Sequence, residues 1–147
     1  MKLIRIRWLL VPLLLCLGLV GSAGCSVASE LAGVSPKTID LEAVPLETAL
    51  ANGKPTLAEF GGRTCIPCKQ MKPILEEIAL KYEGNLNVVI IEANENAELS
   101  RFYRITTIPT QIFFDETGFP IGMHVGVLTG ESIEETLEEL GIEPTNG

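Results

Sequence analysis

Histidine, tryptophan, cysteine and basic residues are all scarce in this chain. Its 147 residues include one His, one Trp and four Cys. Cys16 lies inside an apolar N-terminal stretch and Cys25 at its border, so Cys65 and Cys68 are the only pair in the body of the chain. One close pair is no disulfide framework for a domain of this size, and so short a loop removes little unfolded-state entropy. Structural zinc takes four ligands, a number that His124 and two cysteines do not reach. Three of the 11 bases are Lys2, Arg5 and Arg7, so eight bases face 19 acids over the rest, a charge of about −11. Binding to nucleic acid depends on Lys and Arg displacing counterions from phosphates, and so acidic a body argues against that partner. Internal repeats and low-complexity tracts are missing as well, which excludes solenoid and propeller arrays.

A long apolar run is also lacking. The stretch from Trp8 to Val20 has 13 residues, short of the ~20 that span a bilayer as a helix. With its basic lead and the small residues from Gly21 onward, residues 1–24 read as an export signal. Extension through Gly24 gives 17 residues and keeps an uncleaved anchor as an alternative. "GSAGC" resembles a bacterial lipoprotein box, which makes Cys25 the candidate for lipid attachment. Ser22 stands where that box usually has an aliphatic residue, and ordinary cleavage after Ala23 or Ala28 satisfies the small-residue rule equally. The expected location is the periplasm or the extracytoplasmic face of the membrane, with a lipid anchor if Cys25 is modified. Residues 25–37 are small and polar without a period and read as a flexible tether. One folded domain is expected over 38–147.

Within that domain, periodicity predicts eight elements. "PLETALANGK" reads as a short helix, "PTLAEFG" as a strand and "IPCKQMKPILEEIALKYEG" as a helix with Pro73 inside it. "NLNVVIIEA" is a nearly continuous apolar run, as in a strand covered on both faces. "ENAELSRFYRI" is a helix whose Phe102 and Tyr103 are expected in the core. "TQIFFD" and "FPIGMHVGV" form a hairpin. "TGESIEETLEELGI" closes the chain as a helix with Ile133, Leu137 and Leu140 inward and Thr129 or Ser132 as cap. Strands that alternate with helices are expected to pair in parallel, with antiparallel edges from the hairpin. The fold class is α/β: a mixed sheet flanked by helices.

The chemistry concentrates in "GGRTCIPCKQMKP". A Cys-x-x-Cys pair cycles between dithiol and disulfide, holds a metal ion, or staples a turn, and three residues apart suits all of these. Haem attachment needs His after the second Cys, where Lys69 stands. The strand before "CIPC", the helix it opens, Pro73 five residues after Cys68 and "TTIPTQIFF" before a hairpin together resemble thioredoxin, over about residues 45–141. The resemblance implies the thioredoxin fold and a thiol-disulfide oxidoreductase without cofactor or resident metal. Its partners would be disulfide-containing proteins and, outside the cytosol, a membrane electron donor, and the chain is expected to be a monomer.

The resemblance makes Cys65 the attacking thiol and Cys68 the resolving one. Unpaired N–H groups and the dipole at a helix start favour a thiolate, and cysteine pKa values fall from about 8.5 to about 3.5–7.5 in such settings. By the same resemblance Glu59, six residues before Cys65, moves a proton to or from Cys68. The plainer reading of Glu59 is a carboxylate at the solvent-facing end of an edge strand. Pro109 is expected to be a cis proline that leaves the Ile108 backbone free for an extended substrate, with Ile66 and Pro67 facing that substrate from the helix. Departures from thioredoxin include Thr64 in place of a Trp, Gly61 and Gly62 in place of an aromatic and a small residue, and Ile66 in place of Gly. They strip an apolar platform from the site. His124 reads as a surface or half-buried side chain, Arg63 and Lys69 either as stabilisers of the thiolate or as solvated charges. Reduction is the favoured direction, since neither a dimerisation domain nor a large helical insertion is apparent. Thiol oxidation or isomerisation and a Cu(I)-binding module, to which soft thiolates are suited, are the alternatives.

Overall fold

The computed structural model describes residues 39–42 and 44–145. The export signal, Cys25 and the tether therefore lie outside the described residues. Eight elements follow in the predicted order: α1 (Leu46–Leu50), β1 (Thr56–Gly61), α2 (Ile66–Lys81), β2 (Asn87–Glu92), α3 (Ala97–Phe102), β3 (Thr110–Phe114), β4 (Pro120–Val125) and α4 (Gly130–Glu139). Helix α2 runs on through Pro73 and ends ahead of Gly84, whose φ of 91° suits a residue without Cβ. The Thr129 hydroxyl accepts from the Ser132 N–H and caps α4.

The strands form one sheet in the order β2-β1-β3-β4. Strand β2 pairs with β1 in parallel, while β3 pairs with β1 and β4 with β3 antiparallel. Alternation of helix and strand therefore misled as to β3, which is an interior antiparallel strand. The reason is length. Six residues of α3 rise about 9 Å, whereas a six-residue strand covers about 20 Å, so α3 cannot carry the chain back along the sheet. Strand β3 accordingly starts at the end where β1 and β2 finish, with Thr110 opposite Phe60.

Side chains alternate across the sheet, and each face has its own core. Leu57 and Phe113 pack with Met71, Leu75 and Ile78 of α2 and Ile133 and Leu137 of α4. On the other face Ala58, Phe60, Ile112 and Phe114 pack with Leu46 and Ala49 of α1. Strand β2 contributes to both, through Val88 on one side and Val89 and Ile91 on the other.

Two inward assignments fail. Leu140 is exposed and Ile142 is buried instead, its N–H donating to the Leu137 carbonyl after α4 has ended. Phe102 is 76% exposed. Helix α3 is too short to present more than a narrow apolar stripe and buries none of its own residues. Leu99 and Tyr103 take that stripe, Tyr103 tilted against Phe60 and edge-to-face with Phe114, and leave Phe102 edge-on to Tyr103 in solvent.

Candidate functional site

Strand β1 ends at Gly61, and a short turn carries the chain to Cys65, the N-cap of α2. The Cys65 N–H donates to the Gly62 carbonyl, and the Cys65 carbonyl accepts from Lys69 N–H in the first turn. Its sulfur accepts from the Cys68 N–H at 3.2 Å, the position a capping side chain takes. Pro67 fits the first helical turn because its missing N–H would have no partner there. Cys65 and Cys68 are joined in a disulfide, with Cα atoms 5.3 Å apart. Cys65 is half-buried and Cys68 buried, while Ile66 beside them is 71% exposed.

The Ile108–Pro109 peptide bond is cis. Pro109 is buried, and its carbonyl accepts from the Gly126 N–H at 2.9 Å. Gly62 is where this loop meets the cysteines: a Cβ there would lie 3.1 Å from Ile108 Cδ1 and 3.7 Å from Cys65 Cβ. Gly61 is tighter on its other side, where a Cβ would lie 3.2 Å from Glu59 Oε1 and 3.4 Å from Cys68 Cβ. The two glycines are thus more than the loss of a surface platform. They are the contact points between the cysteines, the Ile108 loop and Glu59.

Glu59 lies in the middle of β1, an interior strand, and is 1% exposed. That overturns the reading of a carboxylate on a solvent-facing edge. Burial holds its carboxyl up at about 7 by penalising the charged form. Glu59, Gly61 and Cys68 line one cavity of about 240 Å³, with Lys69, Lys72, Arg63, Glu42 and Glu92 also on its wall. Arg63 is forked on the Glu95 carboxylate, and Lys72 donates to Glu42 at 2.8 Å. Both cations are occupied by acids. His124, half-buried on β4, stands opposite Gln111 in the register.

Gln111 is the residue that sequence reasoning passed over. It is fully buried next to Glu59 on β3. The only trace it leaves in the sequence is one amide inside the apolar run "IPTQIFF".

The thioredoxin family profile matches residues 37–139. The chain belongs to the thioredoxin family. A thiol:disulfide interchange protein, a TxlA homolog of Synechocystis, is 32% identical over 114 residues, which cover 76% of this chain and 63% of that protein. This thioredoxin-family chain therefore aligns with less than two thirds of that relative's length. Thioredoxin 1 of Nostoc is 33% identical over 93 residues, covering 63% of this chain and 86% of that one, and the thioredoxin of Staphylococcus aureus 35% over 83 residues, covering 56% and 79%. Among solved structures, a mutant thioredoxin from Halobacterium salinarum shares the fold with a TM-score of 0.59 at 24% identity, over 64% of this chain and 80% of that one. With its cysteine pair at the start of α2, this chain carries a thioredoxin-like disulfide oxidoreductase domain. Among the described residues, no helix is long and apolar enough to cross a membrane, and no three His, Cys, Asp or Glu side chains group as metal ligands.

Proposed function

We propose that the protein reduces protein disulfides outside the cytosol through a Cys65/Cys68 dithiol-disulfide cycle. The observation that carries this reading is the pairing of a half-buried Cys65 at the helix cap with a buried Cys68 whose Cβ and the Glu59 carboxyl flank the same glycine. In the dithiol form, N–H groups at the start of α2 favour the Cys65 thiolate. That thiolate attacks one sulfur of a substrate disulfide. The substrate S–S bond breaks, its other sulfur leaves as a thiolate that takes up a proton, and a mixed disulfide with Cys65 forms. Cys68 then gives its proton to the Glu59 carboxylate, directly or through one water in the shared cavity, and attacks the Cys65 sulfur. The second substrate sulfur leaves as a thiolate and takes up the proton that Glu59 holds, and Cys65–Cys68 closes as the disulfide. Two electrons and two protons have passed to the substrate.

Ile66 and Pro67 on one side, and Ile108 and Pro109 on the other, face the extended substrate segment around its disulfide. The exposed Ile66 gives that surface an apolar contact where Thr64 and the two glycines offer little. Electrostatics favour the reducing direction. A strong oxidant stabilises its reduced form, whereas here Arg63 and Lys72 are engaged by Glu95 and Glu42, and Glu59 turns anionic above about 7 beside the pair. A carboxylate near a thiolate disfavours it, which makes the dithiol the better donor. The basic lead, 13-residue apolar run and small residues of 1–24 support export, and "GSAGC" supports a lipid tether at Cys25. A membrane electron donor would then restore the dithiol, because the extracytoplasmic space lacks the cytosolic reducing supply.

Reduction of insulin, followed by the turbidity of its released chain with dithiothreitol as electron source, tests the cycle. The wild type should accelerate it, Cys65→Ser should abolish the acceleration, and Cys68→Ser should accumulate a mixed disulfide on Cys65. No acceleration by the wild type would sink the reading.

A further inference from the structure

Three buried side-chain atoms have no hydrogen-bond partner among the described residues: Glu59 Oε1, Gln111 Nε2 and Gln111 Oε1. They belong to two residues that stand directly opposite each other in the β1–β3 register. Opposite residues of an antiparallel pair share a face, with Cβ atoms about 4.5–5.5 Å apart. That face is the one covered by α2, since Leu57 and Phe113, two residues from Glu59 and Gln111, pack against Met71 and Leu75. On the other side of Glu59 the register places Ile90, which has no polar group to offer. A buried amide without partners destabilises a fold, and an apolar side chain of the same volume would avoid that cost. Orphaned polar groups on adjacent buried residues call for a reason beyond packing.

We infer that Gln111 is the positioning residue of Glu59, its amide serving the carboxyl in both protonation states. No hydrogen bond joins the two side chains in this structure; a turn of the Gln111 side chain would bring its N–H to the carboxylate when Glu59 is ionised, or its carbonyl to the carboxyl O–H when Glu59 is protonated. An amide has both a donor and an acceptor within one rotation of its side chain and carries no charge of its own. A lysine would lock the carboxyl in its charged form, and a leucine would leave that form unsolvated. Gln111 thereby offsets part of the desolvation of the charged form and keeps the proton of Glu59 exchangeable near neutral pH.

This inference rests on the proton-carrying role proposed for Glu59 only for its consequence in the redox cycle, not for the pairing itself. The titratable and charged groups around Glu59 are Cys68, Lys69 and Lys72 from α2, Arg63 from the turn before it, Glu92 from β2 and Glu42 from the segment before α1. His124 on β4 faces Gln111 from the far side. The variant His124→Gln therefore separates any contribution of that imidazole from that of Glu59.

The test follows the protonated-carboxyl infrared band of Glu59 against pH in the full chain, with the band assigned by its loss in Glu59→Gln. Gln111→Leu and Gln111→Met should both remain folded, and both should move the Glu59 midpoint upward by about one pH unit or more, the effect of losing a hydrogen bond to a charged group. His124→Gln should leave it in place. A midpoint unmoved in both Gln111 variants overturns the inference. The rate at which Cys68 resolves the mixed disulfide, followed against pH, is read separately. If the band moves and the rate profile does not, Gln111 positions Glu59 as inferred and the proton-carrying role of Glu59 is the part that fails.

Discussion

Burial moves the Glu59 carboxyl from 4.5 to about 7, and stability must follow the proton. Between those values the folded chain holds a proton that the unfolded chain has released. The fold binds more protons there, so its stability falls as pH rises through the window. A shift of that size amounts to about 3 kcal/mol, absent below about pH 4.5 and fully expressed above about 7. Denaturant unfolding of the disulfide form should show the wild type losing about 3 kcal/mol across the window relative to Glu59→Gln, which has no such proton. Parallel pH curves for the two proteins would contradict it. At this scale the sequence was legible for the pairing of Cys65 with Cys68 and for the cis proline of "TTIPTQ". It was not legible where the meaning depends on what stands across the sheet. Gln111 is one amide in a strand until the register sets it beside Glu59, and Gly61 is a missing aromatic until its empty Cβ position is seen between Glu59 and Cys68.

Elements were read well where one period runs long enough to be unambiguous. Helix α2 has 16 residues and buries Met71, Leu75 and Ile78 at the expected spacing, and the order of all eight elements follows the sequence pattern. Short elements were read less well. Six-residue α3 gave no hint that Phe102 would face solvent, because two turns can be rotated onto either Leu99 and Tyr103 or Phe102 without changing the pattern. The direction of β3 depends on how far α3 can carry the chain, which is a matter of length and not of hydrophobic pattern. That direction matters to the site. Because β3 begins at the end where β1 finishes, the Ile108–Pro109 loop lies at the same end of the sheet as the cysteines, and Gly62 can touch both.

For the molecule as a whole, the acidic body argues against nucleic acid as a partner, and action on proteins beyond the cytosol is what we propose from the apolar N-terminal stretch. If the proposed export holds, intact mass of the mature protein from its native source should give a chain beginning at Cys25 and heavier by its lipid, or one cleaved after Ala23 or Ala28. An unprocessed chain held in the cytosol would contradict export. The central claim, however, is that the Cys65/Cys68 couple donates electrons to substrate disulfides. Relatives of this fold span roughly −270 to −120 mV. The most direct test is the reduction potential of the couple, read from its equilibrium with glutathione buffers of known ratio. The acids around the pair predict a value near −270 mV. A value near −120 mV would show the dithiol to be the stabilised form and make the protein an oxidant.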